Sequence, residues 1–269
     1  MIRIALALTT SILLAESAAA IVGGAPPVQD DLARHVVAVI GGNGSVCTGT
    51  AIGRDLVLTA AHCVRSGAKY EAIELGGAGR PQRTNVASVE QHPQFDFEAA
   101  NASRATADLA VLKLAKPLSP RVMPAALSAR DFFLAGDRFT VAGFGSVGGL
   151  GDGTFGRLLA ADLVAQGRQF ELQLRLADPM TRGESPGSSA CSGDSGGPVF
   201  EDTSTGLVLV GVVSWAASAS GTVGCGGVTG ATPIAVVRPW ITETAKKLRS
   251  PLAPWIERNI GGLRGLPGD

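Results

Sequence analysis

Apolar positions in this chain come in short bursts of Val, Ile, Leu and Thr, cut apart by abundant glycine, 36 residues in 269. Bursts of that length between turn formers read as β-strands joined by turns. The segment Ala107-Asp108-Leu109-Ala110-Val111-Leu112-Lys113-Leu114 illustrates the pattern. One carboxylate opens a stretch of apolar residues alternating with small and basic ones, which suits a strand. A helix is expected near the end, where Pro239-Trp240-Ile241-Thr242-Glu243 opens with a proline compatible with a helix start and continues through Ala245, Lys246, Lys247 and Leu248.

The first twenty residues stand apart. Arg3 gives a short positive start, Ala5 to Leu14 an apolar stretch, and Ala18-Ala19-Ala20 a small-residue cleavage site, so residues 1–20 read as a secretory signal. The stretch is too short for a membrane anchor, and no later apolar run approaches the roughly 20 residues that span a bilayer. Export to the medium or the periplasm is expected, with no membrane association after the signal is removed. The formal net charge is zero, which argues against nucleic-acid binding. Four cysteines in an oxidising compartment read as two disulfides, and three pairings are open. The cysteines lack the close paired spacing of a zinc site, so no metal and no cofactor is expected.

The candidate chemistry begins at Cys191-Ser192-Gly193-Asp194-Ser195-Gly196-Gly197-Pro198. A serine in a glycine-rich turn carries little shielding bulk, and such a turn lets successive backbone N–H groups converge on one point, as an oxyanion requires. A plain surface turn has the same composition. What separates the two is Thr59-Ala60-Ala61-His62-Cys63, which supplies a base in a chain whose other histidines are His35 and His92. The turn also fits the nucleophile elbow of α/β-hydrolases, whose histidine follows the serine, yet no histidine follows Ser195. Two templates remain. In one the acid lies between histidine and serine, which nominates Asp108; in the other it precedes both, which nominates Asp30, Asp31 or Asp55. The second expects long helices around the serine, where this chain is turn-rich.

These residues resemble the trypsin and chymotrypsin type of serine protease. Ile21-Val22-Gly23-Gly24 is similar to the family's mature N-terminus, Thr59 to Cys63 to its histidine motif, and Asp108 to Leu114 to its aspartate motif. Gly143-Phe144-Gly145 is similar to its Gly-Trp-Gly turn, Gly193 to Pro198 to its serine motif, and Val213-Ser214-Trp215 to its substrate-binding strand. The resemblance implies an all-β fold of two six-stranded antiparallel Greek-key barrels with a C-terminal helix. The first barrel would span 21–128, the second 129–238 and the helix 239–250, leaving a tail at 251–269. It implies that Asp108 orients His62, that His62 acts as general base and then acid, and that Ser195 forms the acyl-enzyme. The N–H groups of Gly193 and Ser195 would form the oxyanion hole and Ser214 would support Asp108. Cys47 would pair with Cys63 and Cys191 with Cys225, each bridge worth about 3 kcal/mol in the chain-entropy model. His35, where the first strand begins, and His92, in a loop, receive no catalytic role.

The family's pocket floor falls on Ser189, which carries no carboxylate for a basic substrate side chain. Trp215 and Ala216 line one wall. Counting back from Trp240 puts Thr229 at the other, whereas counting forward from Cys225 favours Gly226-Gly227. The first alternative selects small apolar residues such as Ala or Val and the second admits larger apolar or aromatic ones; a small or medium apolar residue is the preference expected. Polypeptide substrates follow, with protein protease inhibitors as possible partners and a monomer as the expected state. A free Ile21 amine would insert beside Asp194 to order the oxyanion hole. The alternative function is a protease homologue that binds without cleaving. The tail leaves three options open: disorder, a short helix on the second barrel, or a partner-binding segment.

Overall fold

The computed structural model describes residues 21, 28, 30–74, 81–102, 104–145, 157–167, 172–222 and 224–256. The expected signal segment lies outside the described residues, as do residues 257–269 of the tail. After a single helical turn, α1 (Asp30–Ala33), come β1 (Val36–Gly41), β2 (Val46–Ala51), β3 (Leu56–Thr59), β4 (Tyr70–Glu74), β5 (Gln82–Gln91) and β6 (Ala110–Leu114). They close in the order β1-β2-β3-β6-β5-β4, every pair antiparallel. A short helix, α2 (Phe97–Asn101), sits between β5 and β6; Asp96 starts it by accepting from the N–H groups of Glu98 and Ala99.

The second barrel repeats this topology. Its strands are β8 (Arg138–Gly143), β9 (Leu159–Ala165), β10 (Leu174–Ala177), β11 (Pro198–Thr203), β12 (Gly206–Ala217) and β13 (Val228–Pro233). They run β8-β9-β10-β13-β12-β11, and β11 returns to β8. The fold is thus two closed six-stranded antiparallel barrels, as the sequence predicts. Two further strands extend it. In the inter-barrel connection, β7 (Ala126–Ser128) pairs parallel with β12, and the tail residues β14 (Trp255–Ile256) pair parallel with β7. The described part of the tail therefore ends in a two-residue strand, and Ala253 donates to the Ile52 carbonyl of the first barrel on the way.

The near-continuous apolar character of several strands follows from burial on both faces. In β1, Val37 and Val39 point into the first barrel while Val36 and Ala38 join a layer shared between the barrels. Strand β3 repeats this, with Val57 inside and Leu56 and Leu58 in the shared layer. In β12, Val210 and Val213 fill the second barrel while Leu209 and Val212 face the shared layer. Full burial of such a side chain stabilises by about 1.5–3 kcal/mol, so the shared layer fixes one barrel against the other. The closing helix α3 (Arg238–Lys247) opens on Pro239 and packs Ile241 and Ala245 into the same layer.

Candidate active site

His62 lies in a 3-10 turn, Ala61–Cys63, at the exit of β3, and Asp108 lies two residues before β6, the neighbour of β3. Strand pairing thus brings the two segments together. The Asp108 side chain is fully buried. Its Oδ1 accepts the His62 backbone N–H at 2.9 Å and its Oδ2 accepts the ring Nδ1–H at 2.7 Å. Ser214 Oγ donates to Oδ2 at 2.5 Å. A buried carboxylate needs partners of this kind, and the ring bond, assigned with Nδ1 as donor, leaves Nε2 of His62 as the acceptor. Ser214 reaches Asp108 because the β12–β13 register slips between Val213 and Trp215, a bulge that re-aims the side chain.

Two further supports hold the histidine turn. Gln91 at the end of β5 donates its amide to the carbonyls of Ala61 and Val64. A disulfide joins Cys47 of β2 to Cys63. Cys63 Sγ lies 3.7 Å from His62 Nε2 and 3.7 Å from the Ser195 carbonyl oxygen, so the reactive edge of the imidazole and the serine turn meet around this bridge.

In the serine turn backbone hydrogen bonds fix much of the chain. The N–H groups of Asp194, Gly196 and Gly197 donate to the carbonyls of Cys191, Val213 and Asp194. Thr48 of the first barrel donates its hydroxyl to Gly193 O at 2.9 Å and its N–H to Ser195 O at 2.8 Å. Among the described residues, the N–H groups of Gly193 and Ser195 have no protein acceptor. Gly193 has φ +94, and a Cβ there would lie 2.8 Å from Gly145 Cα, so both conformation and space demand glycine.

Asp194 points inward. Its Oδ1 accepts from Gly145 and its Oδ2 from Cys191. A Cβ on Gly143 or Gly145 would come within 2.1 or 2.6 Å of Oδ1, which explains the two glycines around Phe144. Burial pushes the Asp194 carboxyl up to about 6, against the pull of the Cys191 and Gly145 N–H groups. Ile21 is fully buried in the second-barrel core at φ 53, an unusual conformation for a β-branched residue.

The Ser189 hydroxyl is buried, donating to Ala190 O at 2.9 Å and accepting from Gly226 N at 2.6 Å. Thr229 is buried directly opposite Ala216 in the β12–β13 ladder, and its hydroxyl accepts from Ala190 N. Gly226 is the hydrogen-bond partner of Ser189, and the disulfide Cys191–Cys225 ties these segments together. The Trp215 indole lies over Gly230, where a Cβ would be 2.0 Å from Cε2. The other two histidines are engaged elsewhere. His35, just before β1, bonds Met123 O, and His92 packs edge-on against Trp240; burial lowers the pKa of both. No local sequence pattern marks Thr48, Gln91 or Gly230, because their roles depend on partners distant in the chain.

Two closed six-stranded barrels of identical topology, with His62 and Asp108 of the first linked through Ser214 to the second, define the chymotrypsin fold class. The trypsin family model matches residues 21–241. The chain is similar to "Trypsin epsilon" of Drosophila erecta, 32% identical over 213 residues that cover 75% of this chain and 78% of that protein. It is 33% identical to "Trypsin" of Sarcophaga bullata, over 75% of this chain and 80% of that one. Against a "Trypsin-like protease" of Streptomyces glaucescens it is 30% identical over 73% of each. The chain belongs to the trypsin family of serine proteases. Polypeptides are the substrate class that membership implies, and no helix among the described residues is long and apolar enough to cross a membrane.

Proposed function

We propose that the protein is an exported serine endopeptidase that cleaves peptide bonds through an acyl-enzyme on Ser195. His62 takes the Ser195 proton as the hydroxyl attacks the carbonyl and later delivers it to the leaving amine, while Asp108 holds the ring and stabilises the imidazolium. The developing oxyanion is received by the uncommitted N–H groups of Gly193 and Ser195, an effect worth about 10²–10³ in turnover per donor. The observation that carries this reading is the Asp108 carboxylate, fully buried and spent on His62 and Ser214. Its test is active-site labelling with a fluorescent organophosphonate. The wild-type protein should label and a Ser195→Ala variant should not; equal labelling would sink the assignment.

The residue before the scissile bond is small or medium and apolar. Support comes from the pocket floor, where Ser189 offers a neutral hydroxyl and no carboxylate to pair with a basic guest, and from Thr229, which stands opposite Ala216 in the β12–β13 ladder. The substrate backbone runs along Ser214, Trp215 and Ala216. Ile21, once its amine is free after signal removal, pairs with Asp194 and orders the oxyanion hole. The fully buried Ile21 and the carboxylate without a cationic partner among the described residues favour that reading.

A further inference from the structure

Beside His62 lies a cleft of about 300 Å³ that the proposed chemistry does not use. Ala61 and His62 of the histidine turn and Val64 and Arg65 after it line one part of the cleft, with Gln91, Phe95 and Phe97 lining the rest. The amide nitrogen of Gln91 is already spent on two backbone carbonyls. Phe95 and Phe97 meet edge to face with centroids 6.5 Å apart, so part of the lining is aromatic. Arg65 is exposed, its guanidinium 5.5 Å above the Phe97 ring, and no carboxylate among the described residues pairs with it. The nearby acids do not take that place. Asp96 is turned onto the start of α2, and the exposed Glu98 is not part of the wall. The cleft therefore offers an apolar bed and one uncommitted cation.

We propose that this cleft receives the side chain of the second residue before the scissile bond and selects glutamate there, with Arg65 as the specificity-determining residue. The inference rests on the endopeptidase reading. An extended substrate alternates its side chains between two faces. With the residue before the scissile bond directed at Ser189 and Thr229 in the second barrel, the preceding one faces the first barrel and His62. The methylenes of glutamate cover the phenyl rings while its carboxylate meets the guanidinium, which keeps its contact with Phe97. An exposed pair of this kind supports a preference of about threefold to fivefold for Glu over Gln, weakening as salt rises.

The test is a peptide series that differs only at the second residue before the scissile bond, carrying Glu, Gln, Leu, Lys or Gly, assayed with enzyme that starts at Ile21. Wild type should rank Glu above Gln and place Lys last. Arg65→Ala should bring the Glu to Gln ratio of kcat/KM close to one, and Arg65→Glu should move Lys above Glu. The same series, dye-labelled, is titrated against Ser195→Ala and Ser195→Ala with Arg65→Glu by fluorescence anisotropy, which needs no turnover. A Glu to Lys ratio unaltered by Arg65→Glu overturns the Arg65 assignment and leaves the endopeptidase reading intact. Absence of hydrolysis of every peptide by wild type overturns that reading, and the anisotropy ratios then decide the cleft by themselves.

Discussion

The Thr48 hydroxyl of the first barrel donates to the Gly193 carbonyl of the second across 2.9 Å and accepts the Phe144 N–H at 3.0 Å. Thr48 is fully buried, and its own N–H holds Ser195 O. One residue of β2 therefore holds the carbonyls of both Gly193 and Ser195, the two residues proposed to supply oxyanion donors, and so links the course of the serine turn to a residue of the other barrel.

Thr48→Val should test this linkage. The replacement keeps the shape and removes the hydroxyl, leaving Gly193 O and Phe144 N unpaired at a cost of about 1–3 kcal/mol. The protein should fold with a lowered melting temperature. Its kcat should fall about tenfold, a fraction of the loss expected when an oxyanion donor is removed outright, while KM changes little. An unchanged kcat would show that the turn holds its own geometry.

The proposed roles of Ser195 and His62 predict non-additive losses. Ser195→Ala and His62→Ala should each reduce turnover by about 10⁴ or more, and the double variant should lose little beyond either single one. Circular dichroism should show all three folded, since neither side chain is part of a core cluster. Losses that add would mean the two groups act separately.

Much of this site was legible from local sequence. Asp108 at the head of an alternating apolar segment is where the structure has a buried carboxylate, and the glycine-rich turn around Ser195 is where the N–H groups of Gly193 and Ser195 stay without a protein acceptor among the described residues. Other features were not legible, for reasons that are physical. The bulge that turns Ser214 onto Asp108 is a register slip between strands, invisible in either strand alone. Thr48 reads as one more β-branched strand residue until the second barrel is placed against it. The parallel pairing of Trp255–Ile256 with β7 depends on the chain returning past Ile52 after α3, which no local pattern encodes.

Pocket width should respond to Thr229. Its side chain faces Ala216 across the β12–β13 ladder, so Thr229→Gly should open the pocket and shift the preferred residue before the scissile bond from Ala or Val toward Leu or Phe. Each buried methylene the wider pocket admits adds about 0.8 kcal/mol, roughly fourfold in kcat/KM. The variant also loses the hydroxyl that accepts from Ala190 N, so some loss of stability should accompany the switch. Chromogenic peptides that differ only at that residue measure the outcome. An order of preference unchanged by the substitution would place Thr229 outside the pocket, and a dominant preference for Arg or Lys in wild type would overturn the apolar assignment.

The buried Asp194 makes activation readable as a pH profile. In a form whose Ile21 nitrogen is still acylated, the folded carboxyl titrates at about 6, above its ordinary 3.8. The folded state then binds a proton that the unfolded chain releases, so the contribution to stability is complete below about pH 4 and is lost as pH rises through 6. Each pKa unit is worth about 1.36 kcal/mol, which makes the decline about 3 kcal/mol. A form beginning at Ile21 should behave differently. Its ammonium favours the ionised carboxylate, which removes the acid-side decline. Pairing also raises the amine above its usual value near 8, so that stability is present below that pH and lost as pH rises through the folded value. Melting temperatures from pH 3.5 to 10 should separate two Ser195→Ala proteins, one starting at Ile21 and one carrying an additional alanine before it. With Ser195 restored, the extended form should be nearly inactive until trimmed. Matching melting profiles, or full activity with the alanine still attached, would overturn the pairing of Ile21 with Asp194.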